Sequence, residues 1–288
     1  MLLSDFIRSG AQALESLYPS PEARGMVLML CEDRLGVKSY THVVDPGFEI
    51  PHDRLEGLQE DLSRLLDGEP LQYVTGTCEF FGRRFNVSPA VLIPRPETEI
   101  LVREAVTRAL DLDRPLRVLD LCTGSGCIAW SVALEVPYAE LVGVDISDAA
   151  LEVARSQFDS PGVSFIKADV LDASADFGPG SFDMILSNPP YIMESEKALM
   201  RSNVLDHEPE IALFVPDSDP LVFYRAVAGA ASRLLVPGGC GIVEINEQFG
   251  SATADVFMAA GLQKVEIMKD FFGKDRFVSF EKQASRAV

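Results

Sequence analysis

Two short stretches of this 288-residue chain combine residue types that can do chemistry. One is Asn188-Pro189-Pro190-Tyr191. Proline has no backbone N–H, so a turn built on Pro189 and Pro190 presents carbonyl acceptors and few donors. Asn188 adds a side-chain carbonyl oxygen and Tyr191 a flat ring. Together they suit a planar –NH2 group, with two acceptors for its two hydrogens and a ring to lie against its plane. An amide nitrogen is a poor nucleophile because its lone pair is delocalised into the carbonyl. As it attacks an electrophile its protons become acidic, and acceptors placed on them stabilise the transition state more than the ground state. No strong base is required beforehand, and in-line positioning of the reacting atoms is the remaining contribution.

The other stretch is Val118 to Ala129, a strand, a glycine turn and a helix start. Its candidate cofactor contacts are Cys122, Thr123, Gly124, Ser125 and Gly126. Glycines let the backbone approach a ligand closely, and a helix N-terminus offers free N–H groups at the positive end of a dipole. Gly124-Ser125-Gly126 followed by Ala129 also fits the GxGxxG/A dinucleotide pattern. Asp145 ends the next strand, about 20 residues on, where a carboxylate accepts from both ribose hydroxyls. Asp169 follows the third strand, beside the place of an adenine ring, with Val170 to pack on it. These features alone fit NAD, FAD or S-adenosylmethionine about equally.

The chain after Pro115 alternates strand and helix. Strands are predicted over 117–121, 141–145, 163–167, 182–187, 241–245, 264–269 and 276–281, with Pro237-Gly238-Gly239 as a turn before the fifth. Helices are expected from the glycine turn to Glu135 and over 148–158, 222–235 and 251–260. Such alternation implies an α/β fold with a mainly parallel sheet covered on both faces. Both chemical stretches then fall at the C-terminal ends of strands, where open α/β sheets bind ligands. Ile192 to Pro220 is a long connection with little periodicity, the kind of loop that commonly serves binding. Residues 1–70 show helical spacing: Leu3, Phe6, Ile7, Leu14 and Leu17; Met26, Val27, Leu30 and Leu35; Leu55, Leu58, Leu62 and Leu65. A small helical bundle is expected there. The aromatic runs 78–82 and 83–87 around Gly82 read as a β-hairpin linking two domains. The expected division is 1–72, 73–90 and 91–288, and Glu99–Leu110 is a helix after a proline-fixed loop.

Composition excludes several classes. The net charge is −19, from 25 basic and 44 acidic residues. Such acidity repels phosphate backbones and argues against stable nucleic-acid binding. The five cysteines form no CxxC pair and are odd in number, which favours free thiols in a reducing, cytoplasmic setting. Three scattered histidines give no support for a metal site. No apolar run approaches the roughly 20 residues that span a bilayer, so no membrane association is expected. The first ten residues carry Asp5 and Arg8 in an amphipathic pattern and do not read as a signal peptide.

The two motifs in this order resemble those of amino-methyltransferases, which act on exocyclic amines of nucleobases or on glutamine amides. The run Val91-Leu92-Ile93-Pro94-Arg95-Pro96-Glu97-Thr98-Glu99 narrows the resemblance, together with 76–87, 120–126, Val144-Asp145-Ile146-Ser147, 187–192, Glu208-Pro209 with Leu213, Phe223-Tyr224-Arg225 and Gly273-Lys274-Asp275-Arg276. The whole chain is similar to the HemK/PrmC family of protein-glutamine N5-methyltransferases. The resemblance implies a seven-stranded, Rossmann-like class I methyltransferase sheet, a helical N-terminal domain for substrate recognition, and a hairpin linker. It implies S-adenosyl-L-methionine as cofactor, with S-adenosyl-L-homocysteine as product, in a cytoplasmic monomer. The implied substrate is the glutamine of the Gly-Gly-Gln loop of a peptide chain release factor, inserted between Asn188 and Tyr191. Pro189 would offer its carbonyl, Pro190 would border the substrate, and Arg95, Glu97 and Thr98 would line the entrance or the far side of the cofactor. Cys122 departs from the family, which usually has glycine there; its side chain fits if φ is negative. The competing reading is an N6-adenine methyltransferase acting on nucleic acid, which shares Asn-Pro-Pro-Tyr but calls for a basic groove. An NAD-dependent oxidoreductase shares the glycine loop and leaves Asn188–Tyr191 without a role.

Overall fold

The structure, a computed structural model, describes residues 1–112, 114–172 and 181–284. They form two compact units, Met1–Thr77 with Arg201–His207, and Cys78–Met200 with the chain from Glu208 onward.

The first unit is helical. Its main helices are α1 (Leu3–Leu14), α2 (Ser20–Leu35) and, after the short α3 (Thr41–Val44), α4 (His52–Leu66), followed by α5 (Leu71–Thr75). Apolar residues three and four apart place Leu3, Phe6, Ile7 and Leu14 on one buried stripe of α1, facing Val27 and Leu30 of α2 and Leu58 and Leu65 of α4. α2 stops at Gly36, whose φ of +66° is the left-handed cap that only glycine adopts without strain. Arg34 ties three helices: its Nε donates to Asp61 Oδ2 at 2.7 Å and its Nη2 to the Val74 carbonyl at 2.6 Å. No periodicity announces α3 and α5, which are about one turn long.

The second unit opens on a hairpin, β1 (Thr77–Phe80) and β2 (Arg83–Asn86). Phe81 and Gly82 connect them with φ of +49° and +70°, a two-residue loop with both residues left-handed, whose twist matches the strands. Phe80 and Phe85 from the two strands are buried in the same apolar cluster as Leu101 and Trp130. α6 (Thr98–Leu112) follows. Then β3 (Leu116–Leu121), α7 (Cys127–Glu135), β4 (Ala139–Asp145), α8 (Asp148–Arg155), β5 (Val163–Lys167) and β6 (Phe182–Ser187) alternate as expected. The 192–220 connection contains two-residue strands β7 (Ile192–Met193) and β8 (Phe214–Val215), paired in parallel, and the one-turn α9 (Ser202–Leu205) of the helical unit. α10 (Val222–Leu234), β9 (Leu235–Glu244), α11 (Gly250–Ala259), β10 (Gln263–Lys269) and β11 (Asp275–Glu281) complete the unit.

The sheet has seven strands in the order β10-β11-β9-β6-β3-β4-β5. β5, β4, β3, β6 and β9 run parallel, and β11 lies antiparallel to both of its neighbours. One detail departs from the sequence reading: Pro237-Gly238-Gly239 belongs to β9. Gly238 and Gly239 exchange backbone bonds with Lys282 (3.0 and 2.8 Å), and a Cβ on Gly239 would stand 2.9 Å from the Asp183 carbonyl. Glycine here admits a close backbone approach, marked by a register shift between Phe182 and Met184.

The chain order reverses between β3 and β6. β3 leads by way of α7 to β4 on one side, and β6 lies on the other. The crevice at the C-terminal ends of these strands is the switch point where this architecture takes ligands. The glycine turn follows β3 and Asn188 follows β6.

Candidate active site

A cavity occupies that crevice. Its walls include Cys122, Thr123, Gly124, Ser125, Asp145, Asp169, Val170, Asn188 and Pro190, together with Arg95 and Thr98. The structure thus gathers around one space residues spread over the 96 positions from 95 to 190. Gly126, Glu97, Pro189 and Tyr191 do not line it. Gly126 instead caps the start of α7 with φ of +77° and lets the helix close on Ala154 and Phe165.

The loop after β3 is held from both ends. Thr123 N–H donates to the Val144 carbonyl at 2.9 Å, and Gly126 N–H to the Thr123 carbonyl at 2.8 Å. Asp120 is completely buried beneath it; its Oδ2 accepts from Thr123 Oγ1 at 2.6 Å and from Ala129 N–H at 3.2 Å. Its Oδ1 has no hydrogen-bond partner among the described residues. Burial pushes the Asp120 carboxyl up to about 7, against the lowering effect of those two bonds. Asp145 faces the loop, with Oδ2 accepting from Gly124 N–H at 2.9 Å and Oδ1 from Ser147 N–H at 3.0 Å. Each of its oxygens has a further lone pair to offer.

Cys122 corrects an expectation. Its φ is +60°, not negative. The left-handed conformation costs a side-chain-bearing residue about 1–2 kcal/mol. The bonds of Thr123 to Val144 and Asp120 on either side of the turn hold it there. Burial, with Asp145, Asp120 and Asp169 nearby, raises the Cys122 thiol, so it stays protonated and inert.

Asn188 and Tyr191 are positioned by side chains that lie far away in sequence. Asn188 Nδ2 donates to Thr98 Oγ1 at 3.2 Å, Thr98 Oγ1 donates to Glu244 Oε2 at 2.7 Å, and the Tyr191 hydroxyl donates to Glu244 Oε1 at 3.1 Å. Register places Glu244 there: Ser187 of β6 pairs with Val243 of β9, so the residues that follow them are neighbours at the C-terminal ends of the strands. Glu244 is completely buried, which raises its carboxyl; the Thr98 and Tyr191 bonds and the charge of Arg276 act in the opposite direction. Burial raises the Tyr191 phenol as well, and the nearby Glu244 adds to this, so it remains a donor. Asn246 continues the network, with Nδ2 donating to the Tyr191 carbonyl at 3.2 Å and backbone N–H donating to the Tyr224 hydroxyl at 2.9 Å.

Arg95 pairs with Glu208 at 2.7 Å, and the other Glu208 oxygen accepts from Ile93 N–H at 3.1 Å. The Glu208 side chain is 1% exposed, so this pair anchors the Ile93–Arg95 loop beside the cavity. Sequence reasoning missed Glu244 and Asn246. The available signal was a lone carboxylate within the apolar run Gly241–Ile245, aligned with the end of β6.

The strand order, the glycine turn with its carboxylate partner and the Asn-Pro-Pro-Tyr end of β6 define a class I methyltransferase. Residues 98–207 match the family model for the methyltransferase small domain, and residues 5–76 that for the PrmC N-terminal domain. The release factor glutamine methyltransferase of Bacteroides thetaiotaomicron is 42% identical over 93% of this chain and 96% of its own. Those of Neisseria gonorrhoeae (40%; 91% and 93%) and Flavobacterium psychrophilum (34%; 96% and 98%) align comparably. The chain belongs to the release factor glutamine methyltransferase family. Its cofactor is S-adenosyl-L-methionine, and the residues present fit that group. A Cβ on Gly124, at φ +53°, would meet nothing within 4 Å, so the turn opens onto free space beside Asp145, while Ile146, Val170 and Leu171 give an apolar wall next to Asp169. Among the described residues, no three His, Cys, Asp or Glu side chains are placed to hold a metal ion, and no helix is long and apolar enough to cross a membrane.

Proposed function

We propose that this enzyme methylates the side-chain amide nitrogen of the glutamine in the Gly-Gly-Gln loop of peptide chain release factors. The observation that carries this reading is the state of Asn188. It lines the same cavity as the glycine turn, and its Nδ2 is engaged by Thr98, so its Oδ1 remains to accept from an entering –NH2.

When bound, S-adenosyl-L-methionine supplies an electrophilic methyl group on a sulfonium sulfur. Asp145 holds the ribose hydroxyls, the Thr123–Gly126 turn holds the amino-acid end, and Asp169 with Val170 holds the adenine. Asn188 Oδ1 and the Pro189 carbonyl accept from the two amide N–H bonds, orient the nitrogen and stabilise the positive charge that grows on those protons as its lone pair is committed. As the N–C bond forms the methyl–sulfur bond breaks, its electron pair staying on sulfur in the product S-adenosyl-L-homocysteine, and one of the two amide protons passes to solvent. Tyr191 contributes its ring to the plane of the amide, and Pro190, Arg95 and Glu97 border the incoming peptide. Residues 1–72 recognise the protein substrate, 73–90 link, and 91–288 carry the methyl-transfer site. The enzyme acts as a cytoplasmic monomer without stable nucleic-acid binding, in keeping with its net charge of −19.

The test is one incubation with labelled S-adenosyl-L-methionine and four acceptors: intact release factor, the same factor with its loop glutamine replaced, DNA and tRNA. Label on the intact factor alone is expected. Label on DNA or tRNA instead would establish the nucleobase reading and remove this one.

A further inference from the structure

We propose that Thr98 and Glu244 are positioning residues that fix which face of the Asn188 amide meets the substrate. The inference rests on Asn188 being the acceptor for a substrate –NH2, as in the function proposed above.

A side-chain amide has two ends of similar shape and opposite polarity. In one orientation Asn188 offers the cavity an oxygen that accepts, and in the other an NH2 that repels an incoming N–H. Nothing about Asn188 itself chooses between them; its neighbours do. Glu244, as a carboxylate, has only acceptors. Its two oxygens meet two hydroxyls, Thr98 Oγ1 at 2.7 Å and Tyr191 Oη at 3.1 Å, and both must donate. Donating to Glu244 uses the single proton of Thr98, so Thr98 can only accept from Asn188. What it accepts from is Nδ2, at 3.2 Å. The polarity set at Glu244 thus passes through one hydroxyl and leaves Asn188 Oδ1 as the group free to face the cavity.

The setting supports this use. Thr98 and Glu244 are 2% and 1% exposed, so water does not compete for these bonds. Arg276 lies close enough to act on the Glu244 charge, while its own guanidinium is anchored by Asp270 at 3.2 Å. The three members come from the start of α6, the end of β6 and the end of β9, so the arrangement is a product of the tertiary fold.

The test is a set of variants measured for methyl transfer and, separately, for cofactor affinity by calorimetry. Thr98→Val keeps the shape and removes both the donor and the acceptor. It is expected to lower kcat about tenfold to a hundredfold while cofactor Kd stays close to wild type; the Glu244 oxygen left without its donor should also lower the melting temperature. Thr98→Ser keeps the relay and should restore kcat to within about threefold. Glu244→Gln can keep its oxygen on Thr98 and turn its NH2 to the Tyr191 hydroxyl, so it should retain more activity than Thr98→Val. If Thr98→Val and Thr98→Ser lose activity equally, or if kcat falls only in step with cofactor affinity, Thr98 merely packs and the proposal fails. Run on whichever –NH2 acceptor the wild-type enzyme methylates, the set reads the relay independently of the substrate assignment. A direct readout needs no turnover: in the 15N-labelled wild-type protein the Asn188 Nδ2 protons should show nuclear Overhauser contacts to the Thr98 methyl group, and their absence would overturn the assigned orientation.

Discussion

The two ends of the active-site cavity each rest on a buried carboxylate, and they use it in opposite ways. At the cofactor end, Asp120 has one oxygen doubly bonded and the other without a partner among the described residues, and Cys122 above it sits at φ +60°. At the acceptor end, both oxygens of Glu244 are satisfied. The first end obtains its shape by forcing the backbone around a tight turn and tolerating the cost. The second obtains an orientation, which only a saturated chain of donors and acceptors can specify. A binding cradle tolerates local strain, whereas a group whose polarity decides the reaction requires every proton near it to be placed.

This contrast can be broken or sharpened by measurement. The largest effect expected is in the pH dependence of stability. An unfolded aspartate titrates near about 3.9, and Asp120 is held up at about 7. Between these values the folded chain keeps a proton that the unfolded chain releases, so this group lowers stability as pH rises from about 4 to about 7, and the loss is complete above that. Asp120→Asn removes the titration. Its unfolding free energy in urea, relative to wild type, should grow by about 3 kcal/mol between pH 4.5 and pH 8; a difference independent of pH would mean that Asp120 is not strained. Next comes Asn188→Ala, with kcat lower by about a hundredfold (about 2.7 kcal/mol) and cofactor Kd within about threefold. Asp145→Ala should show the reverse, a raised Kd with kcat nearly kept at saturating cofactor. Equal effects of both changes on Kd would erase the division between the two ends.

Gly143→Ala should cost about 1–3 kcal/mol, since the new Cβ would stand 2.5 Å from the Phe165 ring and 2.9 Å from Thr123 Oγ1. The loss should appear in thermal melts and in cofactor Kd, with kcat at saturation close to wild type. The smallest change is Cys122→Gly, which relieves the left-handed strain and should stabilise by about 1 kcal/mol or less once the lost side-chain contacts are counted. A destabilised Cys122→Gly protein would show that the thiol packs better than its backbone suggests.

The same contrast explains what could be read from the sequence. Strands 163–167 and 182–187 fall where their apolar runs predict them, and the glycine turn with Asp145 is legible because its chemistry lies within one β-α-β stretch. The acceptor end is legible only in Asn188–Tyr191. Thr98 and Glu244 stand 90 and 56 positions away from Asn188, and no local pattern links them. The elements of the 192–220 connection were hidden for another reason: β7 and β8 have two residues each, too few to show a period. The positive φ of Cys122 cannot be read from its residue type, which disfavours the conformation that the surrounding bonds impose.

The helical unit takes Arg201–His207 from far along the chain. Domains generally fold as they leave the ribosome, the N-terminal one first. Here the N-terminal unit lacks a component until residue 207 has left the ribosome, by which point β3, β4, β5 and β6 have left it as well. Its completion therefore follows the central strands of its neighbour and precedes β9, β10 and β11, which close the sheet.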